Sequence, residues 1–175
     1  MSDEEVNKLL NEAKEKLMQG NADSAIAIFE KVIELDAHNA EAHSRLADLY
    51  AAKGLKDKAA AEFLFLGNAY YESSLFKNAL KYLQKVLELD PDNLDARVKA
   101  AEIYANEAME REAKLEFLAI AEKYFDLNDL KKSEEFTHKA IDLKSIEAHY
   151  VMGLINLKRE MWKEAASEFE LLLKI

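Results

Sequence analysis

Residues 57–73 read DKAAAEFLFLGNAYYES, a run without proline whose single glycine, Gly67, lies among apolar residues. Ala59 and Phe63 lie one helical turn apart, and so do Gly67 and Tyr70. Taken together, the apolar side chains of this run would cover more than one face of a helix, a property of helices buried on several sides. The stretch therefore predicts one long helix that packs against neighbours in two directions.

The same pattern returns 54 residues further along the chain. Residues 62–64 (Glu-Phe-Leu) recur unchanged as residues 116–118, and Tyr70 recurs as Tyr124. A last partial copy, which includes Phe169, follows at a spacing of 52. Three copies keep residue size and polarity in register at Ala25, Ala79 and Ser133, at Lys31, Lys85 and Lys139, at Ile33, Leu87 and Ile141, and at Leu35, Leu89 and Leu143. Repetition at a fixed period predicts an array of similar structural units.

Signals for helix starts and ends divide each copy into helices. Asn39 and Asn93 are short polar residues of the kind that cap a helix start. Pro91 ends the helix before it, because the residue preceding a proline disfavours helical torsions, and Gly20 and Gly54 fit helix C-caps. These signals predict ten helices at about 3–19, 22–35, 40–53, 57–73, 76–89, 94–107, 110–126, 129–143, 146–158 and 162–174. The short connections between them favour antiparallel packing of successive helices.

The composition excludes several other classes of protein. Among 175 residues there are 4 glycines and 1 proline, which argues against turn-rich β folds and against a glycine-rich phosphate loop. The chain has no cysteine, so disulfides, thiol catalysis and cysteine-based zinc sites are excluded. No set of nucleophile, base and orienting residue stands out, and the four histidines are scattered, so we expect neither an enzyme nor a cofactor or metal site.

Charge and hydropathy narrow the choice of partners and location. With 24 Lys and Arg against 34 Asp and Glu, the net charge is −10, and a negative field repels nucleic acid and anionic lipid. No stretch approaches the roughly 18 apolar residues of a membrane span, and the first residues lack an apolar leader. We therefore expect no nucleic-acid partner, no direct membrane insertion and a cytoplasmic location.

The residues around this long helix resemble the tetratricopeptide repeat family, whose motif is a helix–turn–helix of about 34 residues. The segment Leu66-Gly67-Asn68-Ala69-Tyr70-Tyr71, continued by Ala79, Leu83, Val86 and Asp90-Pro91, is close to the family consensus. The resemblance extends over essentially the whole chain. It implies an all-α fold, an α-solenoid of about ten antiparallel helices that form a right-handed superhelix.

The spacing of the repeats departs from that of the family. The small residue of the Leu-Gly anchor recurs after 34, 20, 34, 20 and 32 residues, at Ala13, Ala47, Gly67, Ala101, Ala121 and Gly153. A gap of 20 cannot hold two helices, so helices 57–73 and 110–126 are each predicted to serve two repeats. We therefore expect one array over residues 1–175, with approximate units 1–39, 40–93, 94–145 and 146–175, which could be a piece of a longer array.

The resemblance also implies a function, because partners of this family lie in a groove lined by the first helix of each repeat. Matching the motif position by position gives the groove candidates Arg45, Asp48, Leu64, Phe65, Asn68, Tyr71, Lys99, Glu102, Asn106, Leu118, Glu122, Phe125, Tyr150 and Leu154. Some family members clamp a terminal carboxylate with Lys, Arg and Asn, but here Asp48, Glu102 and Glu122 occupy comparable faces. We therefore expect a scaffold that binds a protein or peptide segment with apolar and basic residues.

An alternative function is self-association through the terminal helices. One helix face cannot bury Leu171, Leu172, Leu173 and Ile175 together, and end repeats normally have a polar outer face. The alternative predicts a structural array that forms homo-oligomers through Leu171, Leu173 and Ile175 within a larger assembly.

Overall fold

A computed structural model describes residues 3–173, and these residues form ten α-helices joined by short turns. Ile175, one of the self-association candidates, lies outside the described residues. The helices are α1 (Asp3–Met18), α2 (Ala22–Leu35), α3 (Ala40–Ala52), α4 (Lys56–Glu72), α5 (Phe76–Leu89), α6 (Leu94–Asn106), α7 (Glu110–Asp126), α8 (Leu130–Asp142), α9 (Glu147–Lys158) and α10 (Trp162–Leu172). The predicted all-α helical repeat fold is confirmed, and each predicted helix has its counterpart.

The ends of the helices follow the local chemistry of the sequence. The side chain of Asn39 accepts a hydrogen bond from the backbone N–H of Ala42 at 3.0 Å, and that of Asn93 accepts one from Ala96 at 3.1 Å. Both asparagines thereby satisfy a backbone donor that the first turn of a helix leaves free. After α3, Gly54 has a φ of +74°, a left-handed conformation that is unstrained for glycine.

Two compact units divide the chain, one ending at Ala96 and the other beginning at Arg97. In the first unit α1 packs against α2, α2 against α3, and α4 against both α3 and α5. The largest side chains that are fully buried there belong to successive helices, namely Phe29, Leu46, Leu66 and Leu83. The continuous helix α4 thus contributes to two helical hairpins of this unit.

In the second unit α7 packs against α8 and α9, α8 packs against α9, and α9 packs against α10. Ile103, Ile120 and Ile155 are fully buried in its core. The buried hydroxyl of Ser133 on α8 donates a hydrogen bond to the backbone carbonyl of Ala121 on α7 at 2.8 Å. That bond fixes α8 against α7 and satisfies a polar group that would be costly to bury alone.

An aromatic cluster joins α4 to α5 in the first unit. The rings of Tyr70 and Tyr82 stack with centroids 5.5 Å apart, and the ring of Phe63 lies 6.2 Å from that of Tyr82. Above Phe63, the ammonium of Lys85 lies 4.3 Å from the ring centroid and 3.0 Å from a carboxylate oxygen of Asp48 on α3. Lys85 on α5 therefore contacts both α4, through the ring of Phe63, and α3, through the carboxylate of Asp48.

The corresponding cluster recurs between α7 and α8 at positions 54 residues higher. Tyr124 stacks on Phe136 at 5.7 Å, and Phe117 lies 6.1 Å from Phe136. Here the ammonium of Lys139 lies 4.5 Å from the Phe136 centroid. The internal repetition of the sequence is thus repeated in its side-chain packing.

A polar side-chain contact ties the two helices of three hairpins together. In each, a basic residue on the first helix meets a glutamate 19 residues later on the second, at 2.5, 2.8 and 2.7 Å respectively. The pairs are His43 with Glu62, Arg97 with Glu116, and His149 with Glu168. His43 and His149 are therefore part of the packing between helices.

Tyr50 forms a comparable link between α3 and α2. Its hydroxyl, on a side chain that is almost fully buried, donates a hydrogen bond to the carboxylate of Glu30 at 2.6 Å. Burial, followed by the hydrogen bond and charge of Glu30 and the charge of Glu62, raises the pKa of Tyr50 well above its usual range. The folded state therefore favours the neutral phenol.

We expect Tyr50→Phe to lower the free energy of unfolding by about 1 kcal/mol at neutral pH, because the hydrogen bond to Glu30 is lost. A raised pKa in the folded state stabilises the fold below the unfolded-state pKa of about 10, and this stabilisation is lost as the pH rises above that value. Urea melts on both sides of that pH should therefore show a steeper alkaline loss for the wild type than for Tyr50→Phe. An equal loss in both proteins would contradict this role, and Tyr150→Phe, at an exposed tyrosine, is the matched control.

Candidate functional site

A cleft of about 250 Å³ lies between α7 and α9 in the second unit. Six side chains line it, three from each helix: Glu122, Phe125, Asp126, Tyr150, Val151 and Leu154. Four of these, all but Asp126 and Val151, are groove candidates from the sequence. The structure thus brings part of the predicted set together around one concave feature.

Helical periodicity explains how the two helices present these residues. Glu122, Phe125 and Asp126 lie near the end of α7, while Ile120 and Ala121, just before them, are fully buried. On α9, Tyr150 and Leu154 are one turn apart and so share a face. One face of each helix is therefore held by the core while another borders the cleft.

The aromatic side chains give the cleft an accessible apolar surface. Tyr150 is 52% exposed, an unusually large fraction for an aromatic residue, and Phe125 is half-buried. The ammonium of Lys158 lies 4.0 Å from the centroid of the Phe125 ring and contacts the backbone carbonyl of Phe125 at 3.4 Å. Phe125 therefore already interacts with a cation through its π system.

Two carboxylates at the rim supply negative charge. Glu122 and Asp126 are both exposed, and within residues 3–173 neither forms a hydrogen bond or an ion pair. They lie four residues apart, so their side chains project from the same face of α7. The ammonium of Lys158 is held over Phe125 beside them, so the charge of these three side chains sums to −1.

Two of the predicted groove residues of the first unit, Asp48 and Phe65, are engaged by other side chains of the chain itself. Asp48 is paired with Lys85 on α5, and Arg45 lies on α3 without an ion pair in the described part of the chain. Phe65 is half-buried, with its ring stacked on that of His43 at 3.8 Å. The ring face of Phe65 is therefore covered by the protein itself.

Asn68 is the most unusual polar residue of α4. Its Oδ1 atom is buried and has no hydrogen-bond partner among the described residues. On the same helix Leu64 is half-buried, and the ring of Tyr71 lies 6.1 Å from that of Phe76. None of these three side chains belongs to the lining of the cleft between α7 and α9.

The remaining groove candidates lie on α6 and α7 of the second unit. On α6, Lys99 and Glu102 are half-buried and Asn106 is exposed at the last helical residue, while Leu118 on α7 is half-buried away from the cleft lining. Sequence matching missed Asp126, although its position four residues after Glu122 places it on the same face. It also missed Val151, which adjoins Tyr150 and which the family motif does not mark.

Apolar side chains are also exposed on α10 and just after it. Leu173 is 86% exposed, Leu171 is 36% exposed and Trp162, at the first residue of α10, is 64% exposed. Ala165, by contrast, is buried against α9. The two described self-association candidates thus lie at the surface of the second unit.

Neither a metal centre nor a membrane span is visible in the described residues. Within residues 3–173, no three or more His, Asp or Glu side chains gather as metal ligands would. His43 uses both ring nitrogens within the protein, one at 2.5 Å from Glu62 and the other at 3.1 Å from the carbonyl of Ala37. Nor does any helix in this range have the combined length and apolar character needed to cross a bilayer.

Comparison with protein families identifies the repeats. The family model described as tetratricopeptide repeat matches residues 16–69, and a second model of the same description matches residues 60–93. The two matches overlap in residues 60–69, all of which belong to α4. Residues 16–93 of the chain therefore consist of tetratricopeptide repeats. Repeats of this family act as protein-interaction modules, so the chain is, in general terms, a protein-interaction scaffold.

Several solved structures resemble the chain. YrrB, described as a TPR protein with an unusual peptide-binding site, is 23% identical, with a TM-score of 0.37 and coverage of 95% of this chain and 84% of that protein. MamA from Desulfovibrio magneticus RS-1 is 17% identical, with a TM-score of 0.35 and coverage of 99% and 96%. TTC0263, a thermophilic TPR protein from Thermus thermophilus, is 17% identical, with a TM-score of 0.32 and coverage of 84% and 98%. No curated protein matches the chain.

Proposed function

We propose that the chain is a non-catalytic scaffold that binds a protein or peptide segment in a groove, and that the cleft between α7 and α9 is part of this groove. The observation that supports this most strongly is the convergence of Glu122, Phe125, Tyr150 and Leu154 on one cleft. These residues were selected from the family motif alone. Their convergence is what a binding groove lined by first helices requires.

The chemistry of the cleft favours a segment of protein over other partners. Exposed aromatic side chains such as Tyr150 are enriched where proteins bind one another, because they bury a large area with little loss of side-chain freedom. The carboxylates of Glu122 and Asp126 disfavour an acidic segment or a free terminal carboxylate. The best match is an extended or helical segment with apolar and basic residues.

The combined variant Phe125→Ala and Tyr150→Ala tests this proposal. We expect segments selected from a displayed peptide library with the wild-type chain to bind the variant at least about tenfold more weakly, since aromatic anchors dominate such interfaces. Binding is measured by titration calorimetry. The matched control combines Leu115→Ala and Leu157→Ala, which change exposed residues of the same two helices outside the cleft lining.

Thermal melts of both double variants separate loss of binding from loss of fold. Full retention of binding by the folded Phe125 and Tyr150 variant would refute the groove. The alternative, self-association, rests on the exposure of Leu171 and Leu173. It predicts an oligomer in light scattering that dissociates when both leucines are replaced by serine, whereas the groove variant would leave the oligomer unchanged.

A further inference from the structure

The cleft between α7 and α9 has the dimensions of one side chain. Its volume of about 250 Å³ is below the roughly 300–1,000 Å³ of pockets that hold small molecules and cofactors. A long, narrow side chain from a bound segment would fit within it.

The lining combines features that no neutral side chain would use together. Phe125 and Leu154 offer apolar surface beside the buried Val151, and Tyr150 adds an aromatic ring that is half exposed. At the rim, the carboxylates of Glu122 and Asp126 have no partner within the described residues. A matching group must therefore have an apolar stem and a positively charged head.

We propose that this cleft binds an arginine side chain of the partner segment, an inference that rests on the proposed function. The planar guanidinium can stack on an aromatic ring and donate paired hydrogen bonds to a carboxylate at the same time. The ring of Phe125 is already in contact with the ammonium of Lys158, which lies 4.0 Å from its centroid. The ring of Tyr150 is therefore the more accessible one for a guanidinium from the partner. A lysine head would satisfy the charge but not the stacking and the paired donors.

The charge balance of the cleft supports a single cation. Glu122 and Asp126 contribute two negative charges and Lys158 one positive charge, so one bound guanidinium makes this group of side chains neutral. A second cation would meet no uncompensated charge in this group. The cleft therefore defines one arginine position in a segment rather than a general preference for basic sequences.

Arginine analogues test the inference directly on the full chain. The probes are N-acetyl-arginine amide, the neutral and similarly shaped N-acetyl-citrulline amide, and N-acetyl-lysine amide, with binding followed through the backbone amide signals of the ¹⁵N-labelled protein. We expect saturable shifts for Glu122, Phe125 and Tyr150 with the arginine probe. The apparent affinity should be about tenfold or more weaker with citrulline and weaker with lysine, because the charge-assisted hydrogen bonds are lost or reduced.

Charge-neutral variants provide the controls. Glu122→Gln with Asp126→Asn should abolish the saturable response, while Glu110→Gln with Glu112→Gln, at exposed residues of the first turn of the same helix, should leave it unchanged. An equal response to arginine and citrulline, its persistence in the Glu122 and Asp126 variant, or no saturable response would overturn the arginine assignment. If any of these results is obtained while selected segments still bind through Phe125 and Tyr150, the arginine site is refuted but the proposed function is not.

Discussion

Phe63→Ala is expected to lower the free energy of unfolding by about 3–5 kcal/mol, the usual cost of truncating a core phenylalanine. Phe63 is 3% exposed and lies at the centre of α4, within the cluster that joins this helix to α5. Its ring also supports the ammonium of Lys85, which pairs with Asp48 on α3. The substitution therefore leaves a cavity at a point where three helices meet.

Urea denaturation followed by circular dichroism measures this effect. The matched control is Leu115→Ala, which changes an apolar residue of α7 that is 57% exposed and should alter stability by less than about 0.5 kcal/mol. An unchanged midpoint for Phe63→Ala would place its ring outside the core. Phe117→Ala, at the equivalent position of the second unit, should cost a similar amount because Phe117 is 4% exposed.

Gly153→Ala is expected to destabilise the hairpin of α9 and α10 by about 1–3 kcal/mol, as overpacking of a close contact does. A Cβ atom at residue 153 would lie 2.6 Å from Cζ and 2.8 Å from Cδ1 of Phe169. An aromatic ring cannot bend away, so the two helices must separate or the ring must turn. The higher helix propensity of alanine, about 1 kcal/mol over glycine, offsets only part of this cost.

The fluorescence of Trp162, the single tryptophan of the chain, reports on this hairpin because it lies at the first residue of α10. Adding Phe169→Leu to Gly153→Ala should recover part of the stability through a favourable coupling between the two sites. Gly67→Ala is the contrasting variant, since its Cβ would lie 2.8 Å from Cδ2 of the buried Leu83, a branched side chain that can shift more readily than a ring, and we expect a smaller loss than at Gly153. Equal losses at Gly67 and Gly153 would contradict the proposed role of the Phe169 ring.

Much of the fold could be predicted because its determinants are local. Asn39 and Asn93 cap helices through bonds to residues three positions away, and such bonds are encoded in short stretches of sequence. The unbroken run around Phe63 predicted one long helix, and α4 spans Lys56–Glu72 without interruption. The assignment of that helix to two repeats, within 54-residue units, stays a prediction.

The candidate site was less predictable because it depends on pairs of side chains far apart in sequence. The motif marks Phe65 and Asp48 as groove positions, but it gives no sign that His43 covers the ring of Phe65 or that Lys85 pairs with Asp48. Similarly, it selects Glu122 but not Asp126, since a family pattern records helix positions rather than the shape of a cleft. Contacts between helices decide these details, and they follow from packing in three dimensions.

The most direct test of the groove is to map a selected peptide segment onto the full chain by amide chemical-shift changes. We expect the largest changes to fall on α7 and α9 at the cleft, at Glu122, Phe125, Asp126, Tyr150 and Leu154. Largest changes at Trp162 and Leu173, with these cleft signals unmoved, would contradict it.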